Sequence, residues 1–177
     1  IVGRLSSAWR MDITEQNLYT LSEGTRAILG GLRQPITLRL YYTKTATINA
    51  PDQIRFFNTY YDYVKAILEE YVIHSNGMVD LEIIDPRPYS QEELAAIRYG
   101  LRRFSITEEE NFFFGLVLQT QLGVTKTIPF FTPDRENFIE YDITYLIDTA
   151  VNPPKIRIGV LSLSLIHISE PTRLRRI

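Results

Sequence analysis

The strongest constraint on the fold is a strand, a long helix and a second strand that follow one another along the chain. Residues 36–43 alternate and are rich in β-branched and aromatic side chains, which predicts a strand. Residues 51–75 carry apolar side chains at steps of three and four, which predicts an amphipathic helix. Residues 78–84 predict the second strand. Because a helical crossover joins parallel neighbours, this unit indicates an α/β fold.

Shorter patterns extend this unit on both sides. Ser22 is a suitable N-cap for a helix that the pair Gly30–Gly31 would end. Ser90 and Glu93 form a capping box at the start of a later helix. The remaining predicted segments are an edge strand at 9–14, a helix at 21–32, a polar loop at 44–50, a helix at 90–103, an acidic loop at 105–111, hairpin strands at 112–119 and 124–130, and a helix at 134–151.

This order of elements predicts a thioredoxin-like three-layer sandwich with a mixed central sheet and a terminal β-hairpin. Two crossover helices predict two parallel strand pairs, and the hairpin predicts an antiparallel pair. The likeness is one of topology only, because the chain has no cysteine and therefore no CxxC redox motif. A flavodoxin- or Rossmann-like sheet is the alternative.

Composition excludes several classes of function. The absence of cysteine removes disulfides, thiolate metal ligands and cysteine nucleophiles. The formal net charge is −2 and no basic stripe is interleaved with aromatic residues, so we expect no nucleic-acid partner. No phosphate-binding, hydrolase or metalloprotease motif occurs. We therefore predict a chain that is not an enzyme, with no catalytic, cofactor-binding or metal-binding residues and no cofactor.

Among single residues, Asp85 is the best candidate for a ligand contact. It follows a predicted strand at the carboxyl end, where α/β folds place ligands, although Asp-Pro is also a common turn. His74 is interpreted as a surface residue near a helix end rather than a general base. The acidic run 108–110 is interpreted as a solvated loop.

Three phenylalanines on the predicted hairpin are candidates for a partner contact. Phe112 and Phe114 lie on its first strand and Phe130 on its second. Clustered aromatic side chains are typical of core packing, and an exposed aromatic edge would instead be an interaction face.

Five short segments occur in an informative order and spacing. They are residues 11–15 (MDITE), 18–25 (LYTLSEGT), 34–37 (QPIT), 83–86 (IIDP) and 156–162 (IRIGVLS). In this order they resemble the amino-terminal extracytoplasmic domain of the gliding-motility ABC-transporter auxiliary component family (GldG-like). The resemblance covers roughly residues 9–162.

The resemblance implies a non-catalytic subunit of an ABC transport system, anchored in the cytoplasmic membrane with this domain facing the periplasm or extracytoplasmic side. Its expected partners are the ABC permease and ATPase subunits in other chains, and membrane segments would lie outside the present sequence. The alternative is a carbohydrate-binding or hydrolytic α/β domain with a site near Asp85.

The chain divides into four expected parts. Residues 1–8 are a remnant after a missing membrane helix, and residues 9–151 are the α/β domain. Residues 152–162 are a linker and the first strand of a truncated next domain. Residues 163–177 begin with LSLIHISEPTR, which resembles a translated sequencing adapter, so we exclude them from fold reasoning.

Overall fold

The computed structural model describes residues 20–47, 52–105 and 111–153. A 3₁₀ helix at Pro133–Phe138 precedes the last α-helix. The other elements in chain order are α1 (Glu23–Gly30), β1 (Ile36–Tyr42), α2 (Lys44–Thr47), α3 (Asp52–His74), β2 (Val79–Ile84), α4 (Gln91–Arg98), β3 (Arg103–Ser105), β4 (Asn111–Thr120), β5 (Thr125–Ile128) and α5 (Ile139–Val151).

The five strands form one mixed sheet in which β1 and β4 are central. Strand β2 pairs with β1, which pairs with β4, while β3 and β5 both pair with the other side of β4. The pair β1–β2 is parallel and the pair β1–β4 is antiparallel, with Leu38 opposite Leu81 and Leu118. This mixed sheet with its terminal hairpin β4–β5 confirms the predicted α/β class.

Helices cover both faces of the sheet, as a three-layer sandwich requires. Successive side chains of a strand point to opposite faces, so Leu38 and Leu40 of β1 enter the main core with α1, α3 and α5. Tyr41 points the other way into a smaller cluster with Ala96 of α4, Leu101, Phe113 and Val117. The two clusters explain why β4 is buried along nearly its whole length.

One topological prediction is wrong. Helix α4 was expected to connect parallel strands, but β4 runs antiparallel to β1 and hence to β2. The helix predicted at 90–103 ends early, at Arg98. Two residues later, Gly100 has a φ of 79°. The next residues, Arg103–Ser105, form the short strand β3, which is antiparallel to β4.

Two other predicted segments differ from the structure. The polar loop at 44–50 begins with the short helix α2, and the last helix divides into a 3₁₀ turn and α5. Ser22 and Ser90 both accept a hydrogen bond from the residue three positions on, which confirms both predicted N-caps.

The predicted edge strand 9–14, the acidic run 108–110 and the strand in 152–162 lie outside the described residues. Within the described parts of the chain, no helix has the length and apolarity needed to span a membrane.

Gly115 at the centre of β4 supplies a prediction about stability. A Cβ atom at this position would lie 2.6 Å from Leu101 Cδ2 and 2.8 Å from the carbonyl oxygen of Ile128. Gly115→Ala should therefore lower the free energy of unfolding by about 1–3 kcal/mol through overpacking. Gly30→Ala is the matched control, because a Cβ atom there would have no neighbour within 4 Å. Since alanine favours a helix more than glycine does, this variant should keep or slightly raise the free energy of unfolding. Equal denaturation midpoints for the two variants would contradict the packing argument.

Candidate functional site

Asp85 lies directly after β2, at the edge of the sheet where β1 also ends. Its Oδ1 accepts a hydrogen bond from the backbone N–H of Lys44 at 3.0 Å, and its Oδ2 accepts one from the Thr45 hydroxyl at 2.6 Å. A carboxylate in this position satisfies a free amide at the start of α2 and stabilises the positive helix end. The carboxylate therefore has a structural task, which is to hold α2 against the end of β2.

An open cleft of about 480 Å³ adjoins Asp85. Its lining includes Arg87 and Glu92 beside Ile83 and Ile84. Both oxygens of Asp85 accept hydrogen bonds from α2, so the observed contacts of this carboxylate serve the fold. The arrangement offers opposite charges and an apolar floor to a ligand.

The aromatic candidates of the hairpin divide between core and edge. Phe112 and Phe114 are only 2% and 0% exposed, and their rings pack against those of Tyr42 and Phe57 in the main core. A partner cannot reach them in this structure, so the core-packing interpretation is the one that the burial supports. Phe130 is half-buried, and its ring lies 4.6 Å from that of the exposed Phe104.

His74 has a partner that sequence spacing did not suggest. Its Nε2 lies 3.4 Å from Oε2 of Glu70, one turn earlier on α3. In the described ranges no set of three or more histidine, aspartate and glutamate side chains is placed to hold a metal ion.

A row of exposed aromatic side chains follows the outer face of α5. Phe138, Tyr141 and Tyr145 are 55%, 65% and 58% exposed, and the two tyrosine rings lie nearly parallel with centroids 6.0 Å apart. At the start of the row, the Arg135 guanidinium lies 5.6 Å over the Phe138 ring and forms an ion pair with Asp142. Tyrosine and arginine are over-represented at the centres of protein interfaces. We call these three aromatic residues the aromatic row.

The orientation of α5 is fixed from its inner side by a polar network. The Thr25 hydroxyl of α1 donates to Glu140 Oε1 at 2.6 Å, and the Ser22 N–H donates to the same oxygen at 2.8 Å. From α3, the Tyr71 hydroxyl donates to the Glu140 carbonyl at 2.8 Å and lies 2.6 Å from the Thr144 hydroxyl. Burial raises the pKa of Tyr71, so the phenol stays neutral and keeps its proton for this bond. The network joins three helices over the main core.

Beside this network, an open surface cavity of about 430 Å³ lies between α1 and α5. Its wall includes Glu140, Tyr141, Ile28 and Asn137. Burial alone would raise the pKa of Glu140, but hydrogen bonds from Thr25 and Ser22 outweigh burial and lower this pKa. The cavity therefore presents an ionised carboxylate next to an exposed aromatic ring.

The patterns used to predict the fold contained one usable signal for this site. Phe138, Tyr141 and Tyr145 recur at steps of three and four, opposite the apolar stripe that correctly predicted the inner face of α5. No local signal connects Thr25 with Glu140, because 115 residues separate them.

Glu140 also supplies a prediction about pH. The pKa of Glu140 in the folded chain lies below its ordinary value of 4.5, so folding favours the ionised form. The resulting stabilisation is complete above the unfolded pKa and is lost as pH falls through the folded pKa. The unfolding free energy of the native chain should thus fall more steeply between about pH 5 and pH 3 than that of Glu140→Gln.

Chemical denaturation at several pH values measures this difference. Glutamine keeps an oxygen acceptor for Ser22 and Thr25 but cannot titrate, which makes Glu140→Gln a conservative change. Thr25→Val removes one donor and should flatten the profile in the same direction. Parallel profiles for the native chain and both variants would refute the assignment.

Comparison with known proteins places most of these elements in one family. The family described as Domain of unknown function (DUF7088) matches residues 15–119, which run from before α1 to the end of β4 and make up more than half of the chain. No curated protein and no solved structure matches the chain. The chain belongs to the DUF7088 domain family.

Proposed function

We propose that this domain is a non-catalytic protein-interaction module of a membrane-anchored auxiliary subunit in an ABC transport system. In this proposal the domain faces the extracytoplasmic side, and its partners are the permease and ATPase subunits carried by other chains. A link to gliding motility follows from the resemblance alone.

The aromatic row is the observation that carries the interaction role. Three large rings stand exposed on one helix face whose opposite side is locked into the core. A contiguous apolar surface with a polar rim is typical of a protein contact site. The ion pair between Arg135 and Asp142 provides that rim beside Phe138.

The segments that carry the family resemblance support the transport role. Residues 34–37 enter β1, and residues 83–86 leave β2 and contain Asp85, the residue that caps α2. A structural cap gives this motif a role that requires no catalytic purpose.

Co-purification of the protein with the permease and ATPase subunits of an ABC transporter from the same organism tests the proposal. Tyr141→Ser with Tyr145→Ser should weaken that complex by about tenfold or more, since interface tyrosines are frequent hot spots. Tyr89→Ser is the matched control, because Tyr89 is 85% exposed but lies before α4, apart from the row. A native protein that associates with neither subunit would overturn the proposal.

The cleft beside Asp85 favours a second candidate, a carbohydrate-binding or hydrolytic domain. It combines Arg87 and Glu92 with an apolar floor at the carboxyl end of β2, the usual ligand position in open α/β sheets.

Two substitutions separate this candidate from a purely structural role for Asp85. Asp85→Ala should lower the unfolding free energy by about 1 kcal/mol, because it removes the cap of α2. Arg87 lines the same cleft but does not cap α2, so Arg87→Gln should leave the free energy of unfolding unchanged. NMR titration with oligosaccharides then decides: saturable shifts at residues 83–87 that Arg87→Gln abolishes would establish the second candidate, and unchanged spectra would eliminate it.

A further inference from the structure

We infer that the cavity between α1 and α5 receives a basic side chain, an arginine or a lysine, from a partner protein. This inference rests on the proposed interaction role and specifies the chemistry of the partner. The occupant is the cationic end of one side chain, and the aromatic row provides the surrounding apolar contact.

The carboxylate of Glu140 is held ready to accept a charged donor. Oε1 already takes the Ser22 N–H and the Thr25 hydroxyl, which fix the orientation of the group. Both of these bonds go to Oε1 rather than to Oε2. A preorganised carboxylate forms a strong charge-assisted hydrogen bond, because little side-chain freedom remains to be lost on binding.

The walls of the cavity suit the rest of a basic side chain. Tyr141 contributes an exposed ring and Ile28 an aliphatic surface on the opposite helix. The methylene stem of arginine or lysine packs on apolar surface while its charged end seeks a polar partner. A tyrosine ring face also attracts a cation.

The charges around the cavity favour a cation over an anion. The amino-terminal end of α1 would attract an anion, but Glu140 already occupies that position through Ser22. Glu23 adds a further negative charge in the first turn of α1. The positive charge of Arg26 helps to lower the pKa of Glu140. Within the described part of the chain, however, these two side chains form no ion pair. A partner's basic group therefore meets an ionised acceptor that forms no ion pair with the described residues.

NMR titration of the 177-residue chain with two matched peptides tests the inference directly. The probes are acetyl-Ala-Leu-Arg-Leu-Ala-amide and the same peptide with citrulline, a neutral isostere, in place of arginine. We expect saturable shifts at the amides of Thr25, Glu140 and Tyr141 with the arginine peptide, and about tenfold weaker binding of the citrulline peptide. Equal affinities, shifts elsewhere, or no saturable shifts would overturn the inference.

Two charge-removing variants sharpen the same titration. Glu140→Gln should weaken binding of the arginine peptide by about tenfold, since glutamine retains the acceptor but loses the charge. Glu136→Gln removes an exposed carboxylate that does not line the cavity and should leave the affinity unchanged. Equal losses in both variants would indicate a diffuse charge effect and count against a defined pocket.

The same variants in the co-purification assay separate this inference from the proposed function. A transport complex that forms with native protein and weakens with Glu140→Gln supports both. A complex that Glu140→Gln leaves intact sustains the transport role and refutes the cavity contact. Absence of any complex overturns the transport role, and the peptide titration then decides the cavity's chemistry alone.

Discussion

Burial of β4 on both faces is the constraint on which the rest of the structure depends. Seven successive residues of this strand, Phe112–Leu118, are buried, so helices must cover the sheet above and below. Gly115 lets Leu101 and the end of β5 approach the strand more closely than any side chain would allow. The three-layer arrangement is therefore a consequence of one strand that cannot face water on either side.

The polar network around Glu140 converts this layered core into a defined outer surface. Thr25, Tyr71 and Thr144 hold α5 against α1 and α3 by hydrogen bonds rather than by apolar packing alone. Every buried side-chain nitrogen or oxygen in the described ranges has a hydrogen-bond partner, so these bonds cost no unsatisfied group. The apolar stripe decides which side of α5 faces the core, and the network adds directional bonds that hold the helix at that rotation.

The two candidate regions differ in what their carboxylates can still do. Asp85 uses both oxygens to hold α2, whereas the donors to Glu140 from the described residues both bind Oε1. The bonds to Asp85 hold α2 at the end of β2, and the bonds to Glu140 orient that carboxylate through one oxygen. Sequence reasoning selected Asp85 by its place after a strand, and that rule could not tell a cap from a ligand contact.

Local patterns in the sequence determined the α/β class, the long helix α3 and the inner face of α5. They also determined the parallel pair β1–β2 and the hairpin. Each of these features depends on residues that lie close together in the chain or are joined by one helix. The pattern also placed Phe112 and Phe114 on the hairpin, but only packing against Tyr42 decided that they are core residues. The direction of β4, the extra strand β3 and the bond between Thr25 and Glu140 depend on tertiary structure. They bring together residues far apart in the chain, and no short-range periodicity records such long-range pairing.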